Sequence, residues 1–272
     1  MTRNPLSSPR DATGETATTL EDPLAEALRL ISLADARGLQ VRLMGGLAFH
    51  ARMPTWTARI GRDGRDIDLA TRNRDRRAVA DLLAASGYVP DKQYNALYGH
   101  KQLYFADLRD GRPVDVLVDR LEMCHRFEFA DRLTADHPTL PLAELLLSKL
   151  QVVKINRKDI LDALILLRGH ALSETDAAGV NVPRILEHTS VDWGWWRTVT
   201  GNLDRLVAFV GSEMVPADLD TGTAAAYDPA AQIVELRARI DAAPKSTRWR
   251  LRARIGDRTR WYEEPEEVGH GR

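Results

Sequence analysis

Apolar residues recur along this chain with two periods, and the change from one to the other divides it. Over Pro23-Leu24-Ala25-Glu26-Ala27-Leu28-Arg29-Leu30-Ile31 they fall at helical spacing, and Gly38 is placed to end that helix as a left-handed cap. Short apolar runs follow. Val41–Met44 predicts a strand running into Gly45-Gly46, with Leu47–Arg52 as the first turns of a helix. Asp66–Ala70, Leu103–Ala106 and Val114–Asp119 predict further strands, the last two joined by the hairpin signal Asp110-Gly111. Between them, Val79, Leu82 and Leu83 mark a helix over Arg76–Ala85, closed by Gly87, whereas Pro54–Arg65 is polar and reads as a loop. Strands joined by a helix in one place and a hairpin in another predict an α/β (α+β) unit: a mixed sheet with flanking helices, not a regular βαβ repeat. Beyond residue 140 the period is helical throughout: Leu142–Val153, Asp159–Leu167, Trp193–Val210 and Ala231–Asp241, with Ala171–Pro183 and Gly211–Pro229 as connections. The expected organisation is a disordered tail (1–20), an α/β domain (21–135), a helical C-terminal domain (136–243) and a tail, basic then acidic (244–272).

Composition narrows the classes. The chain has 272 residues, 44% of them hydrophobic, and a formal net charge of -1, so affinity for a polyanion has to come from local patches. The single cysteine, Cys124, excludes an internal disulfide, and neither a CxxC nor a Cys/His zinc pattern occurs. With no run of 18 apolar residues and no apolar signal core at the N-terminus, a cytoplasmic protein with no membrane segment is expected.

The chemistry centres on Arg65-Asp66-Ile67-Asp68-Leu69-Ala70, with Asp66 twenty residues after Gly46. On a strand, residues i and i+2 share a face, so Asp66 and Asp68 stand side by side while Ile67 and Leu69 turn to the core. Like charges that close repel unless a cation lies between them, and hard oxygen donors favour Mg²⁺. A nucleotidyl-transfer site also needs backbone that approaches a triphosphate closely, which Gly45-Gly46 at a strand-to-helix turn would allow. It needs carboxylates for two Mg²⁺ ions about 3.5–4 Å apart. Asp115, flanked by Val114 and Val116, is the best-placed third acid. On a solvated strand face, however, two aspartates need no ligand at all.

Met44-Gly45-Gly46, Asp66-Ile67-Asp68 and Val114-Asp115-Val116, in that order, resemble the nucleotidyltransferase superfamily related to DNA polymerase beta, over about residues 40–120. The spacing from Gly46 to Asp66 is longer than usual there, and the Pro54–Arg65 loop would absorb the excess. A second block, Leu145-Leu146-Leu147-Ser148-Lys149-Leu150 leading to Arg157-Lys158-Asp159-Ile160-Leu161-Asp162, is similar to the branch that holds the AbiEii and MenT toxins. The resemblance implies a nucleotidyltransferase fold with metal ligands Asp66, Asp68 and Asp115, nucleotide-binding Gly45 and Gly46, Lys149 as a cation for the triphosphate, and Asp159 as its orienting acid or the base. Asp162 is the companion acid. That branch usually carries Ser or Thr just before Asp-x-Asp; here Gly64 and Arg65 stand there, and Arg62 or Arg65 could take over the phosphate. The implied reaction is transfer of an NMP from an NTP to an acceptor hydroxyl, by analogy the 3′ end of a tRNA, by a toxin with an antitoxin partner. A small-molecule or protein hydroxyl as acceptor, or a non-catalytic nucleotide-binding module, are the alternatives. Lys149 and Asp159 could equally be a helix–helix ion pair.

Other residues carry less. His50 lies a turn after the glycines, and His100, Lys101 and Gln102 precede a strand. Cys124-His125 has no metal partners nearby in sequence, and Trp193, Trp195 and Trp196 read as packing anchors. The stretch 245–262 holds Lys245, Arg248, Arg250, Arg252, Arg254, Arg258 and Arg260 with Trp249, Trp261 and Tyr262 interleaved, a pattern suited to RNA phosphates and bases or to a solvated tail balanced by the glutamates after it.

Overall fold

A computed structural model of the chain describes residues 19–55, 64–212 and 226–264. It divides into two units. The first holds the chain as far as Leu47 and the stretch that ends at Arg120; the second holds the segment beginning at Ala48 and everything from Leu121 onward. The division at 120/121 falls within β6 (Arg120–Glu122), which pairs with β7 (Arg126–Glu128).

The first unit is a five-stranded mixed sheet in the order β1 (Val41–Met44), β2 (Ile67–Thr71), β5 (Pro113–Val118), β4 (Gln102–Asp107), β3 (Tyr88–Pro90). Only β2 and β5 run parallel. In β4 and β5 burial alternates with period two: Leu103, Phe105, Val114 and Val116 are buried, whereas Gln102, Tyr104, Asp115 and Leu117 are half-buried on the opposite face. Helix α1 (Pro23–Asp35) starts where Asp22 accepts the Ala25 N–H at 2.6 Å, and buries Ala27, Leu30, Ile31 and Ala34. Helices α2 (Gly45–Arg52) and α3 (Arg76–Ala85) match their apolar spacing, although the unit boundary falls inside α2.

Two elements here were not expected, β3 and α4 (Lys92–Tyr98). Three and seven residues are too short to show a period; their neighbours decide them. Asp91 caps Tyr94 N–H at 2.9 Å, and the Asn95 side chain exchanges two hydrogen bonds with the Tyr104 backbone. Of the tail expected over 1–20, Thr19 and Leu20 are described and are tied down: Thr19 donates to buried Asp107 at 2.6 Å, and the Leu20 N–H to fully buried Glu26 at 3.1 Å. The rest of that tail lies outside the described residues, as does most of the Pro54–Arg65 loop.

The second unit is helical: α5 (Leu142–Leu150), α6 (Arg157–Gly169), α7 (Val182–Val191), α8 (Trp193–Val210), α9 (Pro229–Ala242) and α10 (Thr247–Ala253). Helix α5 stops before Val153 because the Asn202 amide donates to the carbonyls of Leu150 and Val152 at 2.7 and 2.9 Å, taking up groups the helix end leaves open. The supposed connection Ala171–Pro183 holds the short parallel pair β8 (Leu172–Ser173) and β9 (Val180–Asn181) and the start of α7, which Asn181 caps. Of the Gly211–Pro229 connection, 213–225 lies outside the described residues. The stretch from 244 is no free tail: Ser246 caps α10, Trp249 meets Trp196 edge-on at 5.3 Å, and the Trp261 indole donates to Thr198 at 3.0 Å. Its last residues, 265–272, lie outside the described residues. No helix among the described residues is long and apolar enough to cross a membrane.

Trp193 and Trp195 are core anchors, each 5% exposed. Trp195 packs between His125 and His188, at 5.0 and 4.9 Å, and burial pushes both imidazoles down to about 4. Unfolded, each ring titrates near 6.5. Between those values the unfolded chain binds more protons, so this stability is complete above pH 6.5 and is lost as pH falls toward 4. For His125 the loss is roughly 3 kcal/mol. Melting temperatures between pH 7 and 4.5 are expected to fall steeply, and less steeply in His125→Gln; parallel curves for the two proteins would refute the assignment.

Candidate active site

The strand-to-helix turn after β1 decides the geometry around Asp68. Met44 and Asp68 are register partners on antiparallel strands, so the next residue, Gly45, passes directly over the Asp68 side chain. Gly45 has φ +62°, and a Cβ there would lie 1.8 Å from Asp68 Oδ2 and 2.6 Å from its Cγ. The space a side chain would fill is occupied by the carboxylate. That carboxylate thus sits at the start of α2, where open backbone N–H groups carry partial positive charge. Gly46 is the half-buried second residue of the helix. Gly45→Ala should therefore cost at least about 2 kcal/mol in strain and displacement. Chemical denaturation measures this, and an alanine variant as stable as the parent would contradict the packing.

On the other side of β2, Asp68 pairs in register with Asp115 on the parallel strand β5, so both project from the same face. Asp66 is exposed, one residue before β2, and alternation puts it on that face too. An independent sign is Tyr104, the register partner of Asp115: burial raises its phenol first, and the charges of Asp115 and Asp66 raise it further. The Gln102 amide donates to Asp115. Tyr94 and Tyr98 of α4 stack at 5.0 Å, and Tyr94 meets Tyr104 at 6.2 Å, so an aromatic wall borders the carboxylates. Three aspartates on one face, all oxygen donors, suit a hard divalent cation. Among the described residues, however, no group of three or more His, Cys, Asp or Glu side chains is placed to hold a metal ion.

Lys149 forms a cluster of its own within the second unit. Its ammonium lies 2.8 Å from Asp159 and 3.0 Å from Asp162, and 5.4 Å from the centre of the Phe49 ring. Asp162 is fully buried, and Lys149 and Asp159 are 12% and 14% exposed. Asn156, the N-cap of α6, accepts the Asp159 N–H and donates to its second oxygen at 2.8 Å. The lysine is thus a fixed cation whose position is set by two acids from the next helix. Asp162 is as close a partner as Asp159.

Other residues singled out in the sequence are placed as follows. Arg65, 60% exposed, reaches Asp110 of the β4–β5 turn at 3.3 Å. Asp119, at φ 63°, accepts the Asn73 N–H at 2.8 Å. His50 is buried, and His100 and Lys101 are exposed. Cys124 Sγ accepts the Val153 N–H at 3.4 Å. Arg62 lies outside the described residues. Sequence reasoning missed the tyrosines. The only signal for them was Asp91 as a helix cap before Tyr94 and Tyr98, and Tyr104 needed the β4–β5 register.

No protein-family model matches the chain, and no curated protein matches it in sequence.

Proposed function

We propose that the protein is a Mg²⁺-dependent nucleotidyltransferase of the AbiEii/MenT type, transferring an NMP from an NTP to an acceptor hydroxyl with release of pyrophosphate. The observation that carries this reading is Gly45, whose missing side chain makes room for the Asp68 carboxylate at a helix start, in register with Asp115. Asp66, Asp68 and Asp115 would hold Mg²⁺, which when bound supplies charge neutralisation and Lewis acidity. This chain's own groups do the remaining work. Backbone N–H groups at Gly45 and Gly46 receive phosphate oxygens. Gln102 orients Asp115, and Tyr104 and Tyr94 offer ring surface for the base. By the resemblance, Lys149 is the cation for the triphosphate and Asp159 its orienting acid; their 2.8 Å ion pair supports the second role.

The acceptor follows from the resemblance and from the basic-aromatic stretch 245–262, which favour the 3′ end of a tRNA, with an antitoxin as protein partner and the cytoplasm as the place of action. The net charge of -1 favours the second reading, a small-molecule or protein hydroxyl. The test is incubation of the protein, beside an Asp66→Ala/Asp68→Ala control, with Mg²⁺, total tRNA and each labelled NTP in turn. Label on tRNA with the intact protein alone is expected. Pyrophosphate release with another acceptor would retain the chemistry and discard tRNA. Nucleotide binding without turnover would leave a binding module.

A further inference from the structure

We propose that the second unit carries a separate binding site for single-stranded RNA, in a cavity of about 760 Å³ walled by the start of α8, by α10 and by the segment 260–263. The inference deepens the RNA-acceptor reading above, and shares no residue with the clusters at Asp68 or Lys149. The wall is built, not incidental. A Cβ on Gly194 would lie 2.7 Å from the Trp261 carbonyl oxygen, so glycine at the second position of α8 lets the segment lie directly on the helix. The Trp261 indole is held by Thr198, and the Glu263 N–H donates to the Cys124 carbonyl at 3.0 Å. Arg252 donates to the carbonyls of Gly256 and Thr259 at 2.8 and 2.7 Å, and its guanidinium lies 4.7 Å from the centre of the Trp193 ring.

The lining chemistry selects the ligand. Four arginines face the cavity against two carboxylates, Asp192 and Glu263. Asp192 is already engaged, accepting the Gly194 and Trp195 N–H groups at 2.7 and 3.2 Å. Arg248 and Arg260 hold their guanidinium groups at the rim, 79% and 55% exposed, with Asp192 at 3.6 Å from the first and Glu264 paired to the second. Inside stand Trp261, with Arg197 at 5.4 Å from its ring centre, Tyr262, with Arg260 at 5.2 Å from its ring centre, and two exposed aliphatic side chains, Leu251 and Ile255. Cations at the rim with ring and aliphatic surface inside suit a polymer that alternates phosphate with an unpaired flat base. The volume is in the range of small-ligand pockets. A double helix would present no open base face. A membrane surface is disfavoured because Leu251 and Ile255 line a concavity, and α10 is only two turns long.

The test uses the full chain. Anisotropy of a fluorescein-labelled twelve-nucleotide oligouridine is titrated from 50 to 300 mM salt, with the parent and with Arg248→Gln/Arg260→Gln. Both residues are exposed, so folding is spared; Leu251→Ser serves as a second, charge-neutral variant. The double variant should bind about tenfold more weakly at 150 mM salt, with a salt slope shallower by about 1.4. Leu251→Ser should weaken binding with the slope unchanged. Mg²⁺–NTP binding should be the same in all three proteins. Oligouridine bound equally by parent and variants would overturn the proposal, as would binding of anionic phosphatidylserine vesicles in place of RNA. If RNA binding depends on the cavity but no acceptor is ever labelled, the site stands and the transferase reading falls. If Asp66 and Asp68 are needed for turnover while the arginine variant binds RNA normally, the reverse holds.

Discussion

On the proposed reading, Asp68→Asn is expected to lower nucleotidyl transfer by at least about a thousandfold while leaving the protein about as stable as before. Asparagine keeps the shape that fills the space beside Gly45, so packing is preserved. What it removes is one of two negative charges held on neighbouring strands at the same register level. Their mutual repulsion is offset by the helix start beside Asp68 and the Gln102 amide on Asp115, so removing one charge changes stability little. On the proposed reading the same charge would be a ligand to Mg²⁺. A large loss of activity with little change in stability is thus the signature of a site kept for its ligand. Label transfer and thermal melts with and without Mg²⁺ measure both. Retention of activity within tenfold, or a loss of several degrees in the metal-free melt, would remove Asp68 from the site.

Lys149→Met is expected to act in the other direction, costing about 3–5 kcal/mol of stability because it takes the cation from between Asp159 and the fully buried Asp162. Replacing a buried ion cluster by apolar groups can be neutral, but removing the cation alone leaves two nearby carboxylates without the charge that lies between them. Lys149→Met/Asp162→Asn should therefore recover part of the loss. Lys149→Arg should retain most of the stability and still lose transfer, since a planar guanidinium does not reproduce a point charge. Denaturant unfolding of the three variants decides this. A Lys149→Met protein within 1 kcal/mol of the parent would show that the acids do not depend on the lysine.

Much of the fold is legible in the apolar pattern alone. Val41–Met44, Arg76–Ala85 and Trp193–Val210 form over the predicted residues, and the other predicted elements shift by a few. Repeating apolar spacing is a signal carried by many residues at once, so a local misfit does little harm. Elements without such repetition leave no comparable trace: β3, α4, the β8–β9 pair and α10 are decided by caps and by contacts with neighbouring elements. The limits of α5 escape the pattern for the same reason, because Asn202, some fifty residues away, ends that helix.

By itself, then, the sequence determined which residue types could serve a phosphate-handling site, and in what order: a glycine pair, Asp-x-Asp, a strand aspartate, and a helical lysine followed by acids. Tertiary structure decided which of them meet. The pairing of Asp68 with Asp115 rests on the β2–β5 register, and one residue of slip would turn Asp115 to the buried face. Gly45 could be read as a flexible turn, but only the fold shows that Asp68 occupies the place of its side chain. The tyrosine wall, the tie from Gln102 to Asp115 and the cavity behind Trp261 exist only through contacts between segments distant in the chain. Local pattern encodes propensity, whereas a site is a set of distances, and those are set by packing.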